Sequence, residues 1–256
     1  MKNLVRGLIS RPSLQPLWER LLKLCHAGLN TGGGQWLGNS GEIEALQIIK
    51  RQLAVTGVFT LFDVGANDGS YLEMAHGVIG PQLRAFAFEP QLASYQSLER
   101  KFASHEWVTI NRLALGKEDA RSVLYSRSEG DTMASFLRGS IVSGNIAETV
   151  TVTTLDQFCI DAHISRIDFL KIDTEGFEFE VLLGAAETLS ARKISAIQFE
   201  FGEFYPQTNH HFLDFWDLLS SNYVVYRILR HGLGELSRYS PDLEIYKAGN
   251  YLCLRR

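Results

Sequence analysis

Acidic residues follow three apolar stretches of the sequence, each beside a glycine or a proline. The segments read DVGANDG at 63–69, FEP at 88–90 and KIDTEG at 171–176. In the first, Asp63 leads into a turn through Gly65 and Gly69, and glycine permits a positive φ and leaves room for a ligand. Carboxylates there would repel a pyrophosphate and attract an ammonium or sulfonium group. The pattern therefore indicates a site for a cationic ligand.

The other two segments add polar groups with complementary chemistry. Glu89 ends an apolar run before Pro90, and its carboxylate could accept hydrogen bonds from both hydroxyls of a ribose, each contributing about 1.5–3 kcal/mol. Asp173 alternates with Lys171 and Glu175, and burying such charges is costly unless they pair or meet a ligand. Each segment also has a purely structural interpretation. The first could be a tight turn, the second a solvated glutamate, and the third a structural ion pair.

Strands that alternate with helices must position these segments. Five buried strands are predicted at VFTLFDV, RAFAFEP, WVTINRLAL, IDFLKID and AIQFEFGE, and two closing strands at YVVYRIL and NYLCLRR. SVLYS and ETVTVTTL predict a hairpin excursion, while QLASYQSLERKF, FEFEVLLGAAETLS and HFLDFWDLLSSN predict helices. This alternation predicts an α/β fold with a doubly wound, mostly parallel sheet. Ligands of such sheets bind beyond the carboxyl ends of the strands, where all three acidic segments lie.

Composition limits the class of protein. The chain has 256 residues, 45% of them hydrophobic, and a net charge of -4, which suits one soluble domain and argues against a nucleic-acid-binding surface. Three dispersed cysteines predict a reducing, cytoplasmic location rather than a disulfide framework. No apolar stretch reaches the roughly 20 residues of a transmembrane helix.

The N-terminal region predicts a helical appendage. Apolar residues repeat at helical spacing over 13–27, and their stripe could meet a membrane, a partner such as a second copy, or its own domain, the last being favoured. A glycine-rich loop follows, and Asn39 with Glu42 predicts the start of a second helix. The predicted boundary separates an appendage, 1–56, from a catalytic domain, 57–256.

From about residue 40 onwards, the sequence resembles the FkbM-type methyltransferases, a branch of the class I S-adenosylmethionine-dependent family. The matching segments are SGE at 40–42, DVGANDGSY at 63–71, FEP at 88–90, NRLAL at 111–115, TLDQF at 154–158, KIDTEGFEFEVLLGA at 171–185 and QFEF at 198–201. The resemblance implies a Rossmann-like, seven-stranded sheet that binds S-adenosylmethionine across its carboxyl edge. It also implies O-methylation of a hydroxyl, on a small molecule or a glycan.

The resemblance assigns roles by position. It places the methionine part of the donor against the loop that carries Asp63, Gly65, Asn67 and Gly69. It places the ribose at Glu89 and the adenine near Asn111 and Leu113. Asp173 and Glu175 would lie near the transferred methyl group.

A general base would assist the attack of a hydroxyl. The candidates are Asp173, Glu200 and His210, followed by Glu203 and His211, although two adjacent histidines at a helix start are often merely solvated. No metal site is predicted, because no ligand spacing is diagnostic.

Two alternative functions remain at this point. A nicotinamide-dependent oxidoreductase would require a G-x-G-x-x-G loop, which the first strand lacks. A non-catalytic scaffold would not need the acids and glycines of the three segments.

Overall fold

Strands and helices alternate along most of the chain, as the apolar pattern predicts. The computed structural model describes residues 9–32, 40–137 and 146–256. Its helices are α1 (Gln15–Gly28), α2 (Glu42–Leu53), α3 (Ser70–Ile79), α4 (Leu92–Phe102), α5 (Leu155–Asp161), α6 (Glu178–Leu183), α7 (Ala186–Ser190) and α8 (Phe212–Leu219). Its strands are β1 (Phe59–Val64), β2 (Leu83–Phe88), β3 (Val108–Asn111), β4 (Ala114–Leu115), β5 (Ala120–Ser126), β6 (Ile146–Thr153), β7 (Ile167–Ile172), β8 (Ile194–Phe201), β9 (Tyr223–Leu229), β10 (Gly232–Glu235) and β11 (Gly249–Arg255).

The main sheet has the order β10-β9-β11-β8-β7-β1-β2-β3. Neighbours from β8 to β3 are parallel, whereas β11, β9 and β10 add antiparallel pairs. The mostly parallel α/β sheet is confirmed, but in the described residues it has eight strands instead of the predicted seven. The extra strand is β10, whose sequence GLGE carries no alternating apolar pattern and pairs only at the sheet edge.

The central strands are buried on both faces, which explains their nearly continuous apolar sequences. Phe62 and Val64 of β1 belong to a core shared with α5, α6 and α8. Phe59 and Leu61 point the other way and pack with α2 and α3. Helices on both faces leave the carboxyl ends of the strands as the open edge.

Helix α2 belongs to the core of the sheet domain. Ala45, Leu46 and Ile49 are fully buried, and they pack with residues of β1 and β11. The structure therefore groups α2 with the sheet, although the boundary at residue 56 placed it in the appendage. The residue that precedes α2 is Gly41, and Glu42 is its first helical residue, whereas the proposed cap Asn39 lies outside the described residues.

Helix α1 forms where the sequence predicts it, but none of its residues is buried. The expectation that its apolar stripe packs on its own domain is therefore wrong for the described residues. The indole Nε1 of Trp18 donates a hydrogen bond to the carbonyl of Ile9, 2.9 Å away. No helix in the described ranges combines the length and the apolar content needed to cross a membrane.

A second, three-stranded sheet has the order β4-β6-β5. It contains the predicted hairpin excursion, and all of β5 pairs antiparallel with residues 146–152 of β6. The predicted strand WVTINRLAL divides at residues 112–113, so that β3 stays in the main sheet while β4 joins the small one. The predicted helix over 177–190 likewise divides at Gly184, where a Cβ would meet the carbonyl oxygen of Gly116.

Candidate functional site

A cavity of about 660 Å³ opens at the carboxyl edge of the main sheet. Its wall contains residues that follow β1, β2, β7 and β8, which are consecutive neighbours in the sheet. Because adjacent strands lie about 4.8 Å apart, the three steps from β2 to β8 span about 14 Å. The cavity is therefore long enough for an extended ligand that lies across several strand ends.

The wall of this cavity is strongly acidic. Its charged residues within the described part of the chain are one lysine and eight carboxylates, namely Lys171 and Glu42, Asp68, Glu89, Asp131, Asp173, Glu175, Glu200 and Glu203. This excess of negative charge favours a cationic ligand and opposes one that carries phosphates.

Lys171 lies beneath the acidic wall and neutralises part of it. Its Nζ is 3.1 Å from Oδ1 of Asp63, its neighbour across the β1–β7 pair, and 3.4 Å from Oδ2 of Asp173. It also donates a hydrogen bond to the carbonyl of Gly65, 3.2 Å away. Burial opposes its charge, but the nearby carboxylates outweigh burial and raise the pKa of Lys171. The lysine therefore stays charged at neutral pH.

Asp63 lies below the cavity. Its side chain is fully buried and is absent from the cavity wall, since it faces Lys171. The expectation that Asp63 contacts the donor directly is therefore not supported by its position. Asp63 instead pairs with Lys171, whose segment was the one for which the sequence left a structural ion pair open, whereas the alternative for Asp63 was a tight turn.

Gly65 lines the cavity. A glycine is needed there because the backbone of the loop after β7 approaches too closely for a side chain. The φ of Gly65 is +83°, and a Cβ would lie 1.8 Å from the carbonyl oxygen of Asp173. The loops after β1 and β7 thus touch at this glycine. Gly69 lies outside the wall, and a Cβ there would meet Phe102 and Leu98 of α4.

Glu89 connects the loops after β1 and β2. Its Oε2 accepts a hydrogen bond from the backbone N–H of Asn67, and its Oε1 accepts one from that of Gln91, both at 2.9 Å. Asn67 also lines the cavity and holds a positive φ of 45°, which is unusual for a residue other than glycine. Burial raises the pKa of Glu89 to about 7, against the opposing effect of the two backbone hydrogen bonds.

The predicted adenine region is only partly at the cavity. Leu113 lines the wall beside Leu115 and Leu124. Asn111 does not line it, because its amide donates to the carbonyl of Ala87, 3.1 Å away. Its own carbonyl accepts a hydrogen bond from the N–H of Glu89. Asn111 therefore holds the loop after β2 in place without lining the cavity.

Three carboxylates converge after β7 and on β8. Asp173, Glu175 and Glu200 each offer an oxygen within 4.8 Å of the others, a set that could hold a divalent cation. Burial and the negative charge of Asp173 raise the pKa of Glu175 to about 9. Burial, followed by the charges of Asp173 and Glu175, raises the pKa of Glu200 well above its usual value.

Two further glutamates, neither of them predicted from the sequence to have a role in the site, lie in or next to the cavity. Glu42 lines the cavity, and its Oε1 accepts a hydrogen bond from Nε2 of Gln198 at 2.7 Å. Glu178 is buried, and its carboxylate accepts hydrogen bonds from the backbone N–H groups of Thr174 and Gly176. Both glutamates lie in segments that match the FkbM-type family, SGE and KIDTEGFEFEVLLGA. That match was the signal in the sequence that could have identified them.

The two histidines lie away from the cavity wall. Nε2 of His210 is 3.0 Å from Oε1 of Glu180, and its ring packs against Phe179. His211 caps the start of α8 in a reciprocal pair of hydrogen bonds with Asp214. The structure does not bring His210 to the other predicted catalytic residues, whereas Asp173, Glu200 and Glu203 all line the cavity.

Apolar side chains cover the part of the cavity nearest the small sheet. Met133 and Phe136 come from the segment after β5, and they line the wall together with Phe177 and Phe204. The rings of Phe136 and Phe177 are 4.6 Å apart. Ser135 is fully buried, and its hydroxyl donates to the carbonyl of Glu175 at 2.7 Å, which fixes this segment over the acids.

These groups fit a cationic, ribose-bearing donor. Each oxygen of Glu89 accepts one backbone hydrogen bond and keeps a further lone pair, so the carboxylate can also accept from two hydroxyls. Leu113 and Leu115 offer an apolar surface to a base, and the acids after β7 suit a sulfonium. The volume lies within the usual range for small-molecule sites.

Known proteins are similar to this chain in sequence. The family model for the methyltransferase FkbM domain matches residues 63–228, which is more than half of the chain. The chain is 24% identical over 162 residues to the 2-O-methyltransferase NoeI of Sinorhizobium fredii, covering 57% of this chain and 65% of NoeI. It is 29% identical over 146 residues to Methyltransferase 1 of Beauveria bassiana, covering 46% of this chain and 59% of that protein. The chain thus spans less than two thirds of these relatives.

Two solved methyltransferase structures are similar to this chain at low identity. An FkbM methyltransferase from Methylobacillus flagellatus has a TM-score of 0.49 and 19% identity, covering 76% of this chain and 43% of that one. An O-methyltransferase from Bacillus cereus, in complex with SAH, has a TM-score of 0.46 and 10% identity, covering 99% of this chain and 96% of that one. From the family match, the chain belongs to the FkbM methyltransferase family, and its methyl donor is S-adenosylmethionine.

Proposed function

We propose that this methyltransferase acts on a hydroxyl oxygen of a small molecule or glycan, with Glu200 as the general base. The observation that carries the proposal is the state of the Glu200 carboxyl. It lines the cavity, its pKa is raised well above the usual value, and it makes no hydrogen bond or ion pair within the described residues. When it is ionised, a carboxylate of raised basicity that has no other partner is suited to accept the proton of a hydroxyl.

The other acids at this end of the cavity are less suited to act as the base. Asp173 lies 3.4 Å from the ammonium of Lys171, so its carboxylate is already engaged in an ion pair. Glu175 has a positive φ of 55° and supports the loop through its carbonyl, which accepts from Ser135. Glu203 is exposed at the cavity wall, where water screens its charge. Glu200 therefore fits the role best.

Residues of the chain would position the two reactants. Asn67, Glu89 and Leu113 would hold the nucleoside part of the donor, and Asp173 would face its charged end. When bound, the donor supplies an electrophilic methyl group attached to a sulfonium. Glu200 would then orient the acceptor hydroxyl and take its proton as the carbon–oxygen bond forms and the methyl–sulfur bond breaks, which would leave the donor sulfur as an uncharged thioether. Positioning of this kind can lower a barrier by about 7–11 kcal/mol.

The apolar part of the wall supports an organic acceptor. Phe136, Phe177 and Phe204 could pack against the carbon face of a sugar or an aromatic ring, while the surrounding acids oppose an anionic acceptor. NoeI, a relative, is named a 2-O-methyltransferase, which supports transfer to oxygen. Neither the wall nor the family match favours an oxidoreductase or a non-catalytic scaffold.

The test combines product analysis with a matched pair of variants. Wild-type protein and labelled donor are incubated with a panel of saccharide and phenolic acceptors, and the product is examined for a mass gain of one methyl group on oxygen. Glu200→Gln should lower kcat by about 10²–10⁴-fold with little change in donor affinity. Glu203→Gln, on the same wall, should retain kcat within an order of magnitude. An unchanged kcat in Glu200→Gln, or a product methylated on nitrogen, would refute the proposal.

A further inference from the structure

Helix α1 presents an uncovered apolar face, formed by Leu17, Trp18, Leu21, Leu22, Leu24 and Cys25. These residues cover about 160° of the helix circumference at 3.6 residues per turn. Leu17, Leu22 and Leu24 are 48%, 57% and 68% exposed, and no residue of α1 is buried by the described part of the chain. Helices of this length are only marginally stable in water unless they pack against something. We therefore expect the apolar face to contact another molecule or a membrane.

The helix is attached to the domain at its C-terminal end. The side-chain amide of Asn30 donates to the carbonyls of Ser40 and Ile228, and the N–H of Gly32 donates to the carbonyl of Ala248. Ala248 also lines the donor cavity. Whatever binds the apolar face of α1 is therefore held close to the cavity wall.

Charge separates this part of the chain from the rest. Residues 1–32 contain five basic residues and one acidic residue, a net charge of +4, whereas the whole chain carries -4. The remaining residues therefore carry -8. Among the described residues of this segment, Arg11, Arg20 and Lys23 supply the positive charge and Glu19 the negative charge. A basic segment on an acidic domain suits an anionic surface.

We propose that α1 is a docking helix that lies in the interface of an anionic lipid membrane. A leucine- and tryptophan-rich face opposite basic residues is the composition of helices that bind in the plane of a lipid surface. The positive segment is attracted to anionic headgroups, whereas the acidic domain is repelled by them and would face the water.

The same charges disfavour a second copy as the occupant. Glu19 and Lys23 lie opposite the apolar face, so they cannot form ion pairs across a contact between two such faces. Two segments of like positive charge would also repel each other. A lipid surface satisfies both the apolar face and the charge.

Vesicle binding by the full chain tests this directly. Sedimentation is compared for vesicles of phosphatidylcholine alone and for vesicles with about 30% phosphatidylglycerol, at low and high salt. We expect binding to the anionic vesicles that weakens with salt. Lys23→Gln should lower the partition coefficient about fivefold, and the double variant Leu22→Glu/Leu24→Glu should abolish binding.

The control is Ile160→Glu, which replaces one exposed aliphatic residue of α5, 61% exposed, by glutamate and so adds one of the two negative charges of the double variant. It should bind vesicles as the wild type does, and the melting temperature should confirm that all variants are folded. Equal binding by the wild type and the double variant would overturn the proposal. So would a wild-type dimer that the double variant loses, without any vesicle binding, because that result assigns the face to a second copy.

Discussion

The ammonium of Lys171 lies 3.1 Å from the carboxylate of Asp63, and both side chains are almost completely buried. The acid that begins the DVGANDG motif is thus neutralised by a residue of the KIDTEG motif. This contact joins β1 to β7 directly below the donor cavity.

Removing the lysine should destabilise the fold. Lys171→Met leaves Asp63 as an unpaired buried charge, and we expect a loss of about 3–5 kcal/mol in the free energy of unfolding, measured with urea. The double variant Asp63→Asn/Lys171→Met should recover part of this loss, because it removes both charges. A single variant as stable as the wild type would contradict the pairing.

Glu89 should make donor affinity depend on pH. Its pKa is raised to about 7, so it becomes protonated as the pH falls through that value and loses the charge that accepts hydroxyl hydrogen bonds. Calorimetry should show weaker donor binding at about pH 6 than at about pH 8. Glu89→Gln should bind the donor roughly 10- to 100-fold more weakly, with a smaller pH dependence. Wild-type affinity in this variant would remove Glu89 from the site.

Gly65 should tolerate no side chain. Gly65→Ala combines a left-handed backbone with a Cβ only 1.8 Å from the carbonyl oxygen of Asp173, and should cost about 2–5 kcal/mol in the free energy of unfolding. Gly57 is a matched control, because its φ is +99° but a Cβ there meets nothing within 4 Å. Gly57→Ala should cost only about 1–2 kcal/mol. Equal losses would show that the backbone contact is unimportant.

Glu175 should make the unliganded protein less stable as the pH rises. Its pKa is raised from 4.5 to about 9, so the folded state holds this proton more tightly than the unfolded state does. The free energy of unfolding therefore falls between these two values as pH increases. In urea unfolding at about pH 6 and about pH 8.5, Glu175→Gln should show a shallower decline than the wild type. If the free energy of unfolding fell equally with pH in the variant and the wild type, Glu175 would not be the group that causes the pH dependence.

Chelation should leave methyl transfer largely intact. Asp173, Glu175 and Glu200 could together hold a cation, but Asp173 already faces the ammonium of Lys171, which weakens such a site. We expect product formation in excess EDTA to stay within an order of magnitude of the untreated rate. Loss of activity that Mg²⁺ restores would instead assign a metal to the three carboxylates.

Local sequence patterns were sufficient for most strands of the main sheet and for part of the candidate site. Apolar runs such as VFTLFDV locate β1, and an acid after the next strand identifies Glu89, because both signals lie within a few residues. The ion pair of Asp63 was not predictable with certainty, since it depends on the register between β1 and β7. Glu42 was missed as a wall residue for a similar reason, because its partner Gln198 is distant in sequence and joins it only in the folded sheet.

The segment that follows β5 of the small sheet is a place where preference for the methyl acceptor could change. The strands of that sheet pair with one another and not with the main sheet, yet the segment after β5 supplies Met133 and Phe136 to the cavity. One hydrogen bond, from Ser135 to the carbonyl of Glu175, ties this segment to the donor side. This segment could therefore diverge between related enzymes and change the acceptor, whereas β4 and β5, which place Leu115 and Leu124 beside Leu113, would have to stay with the donor site.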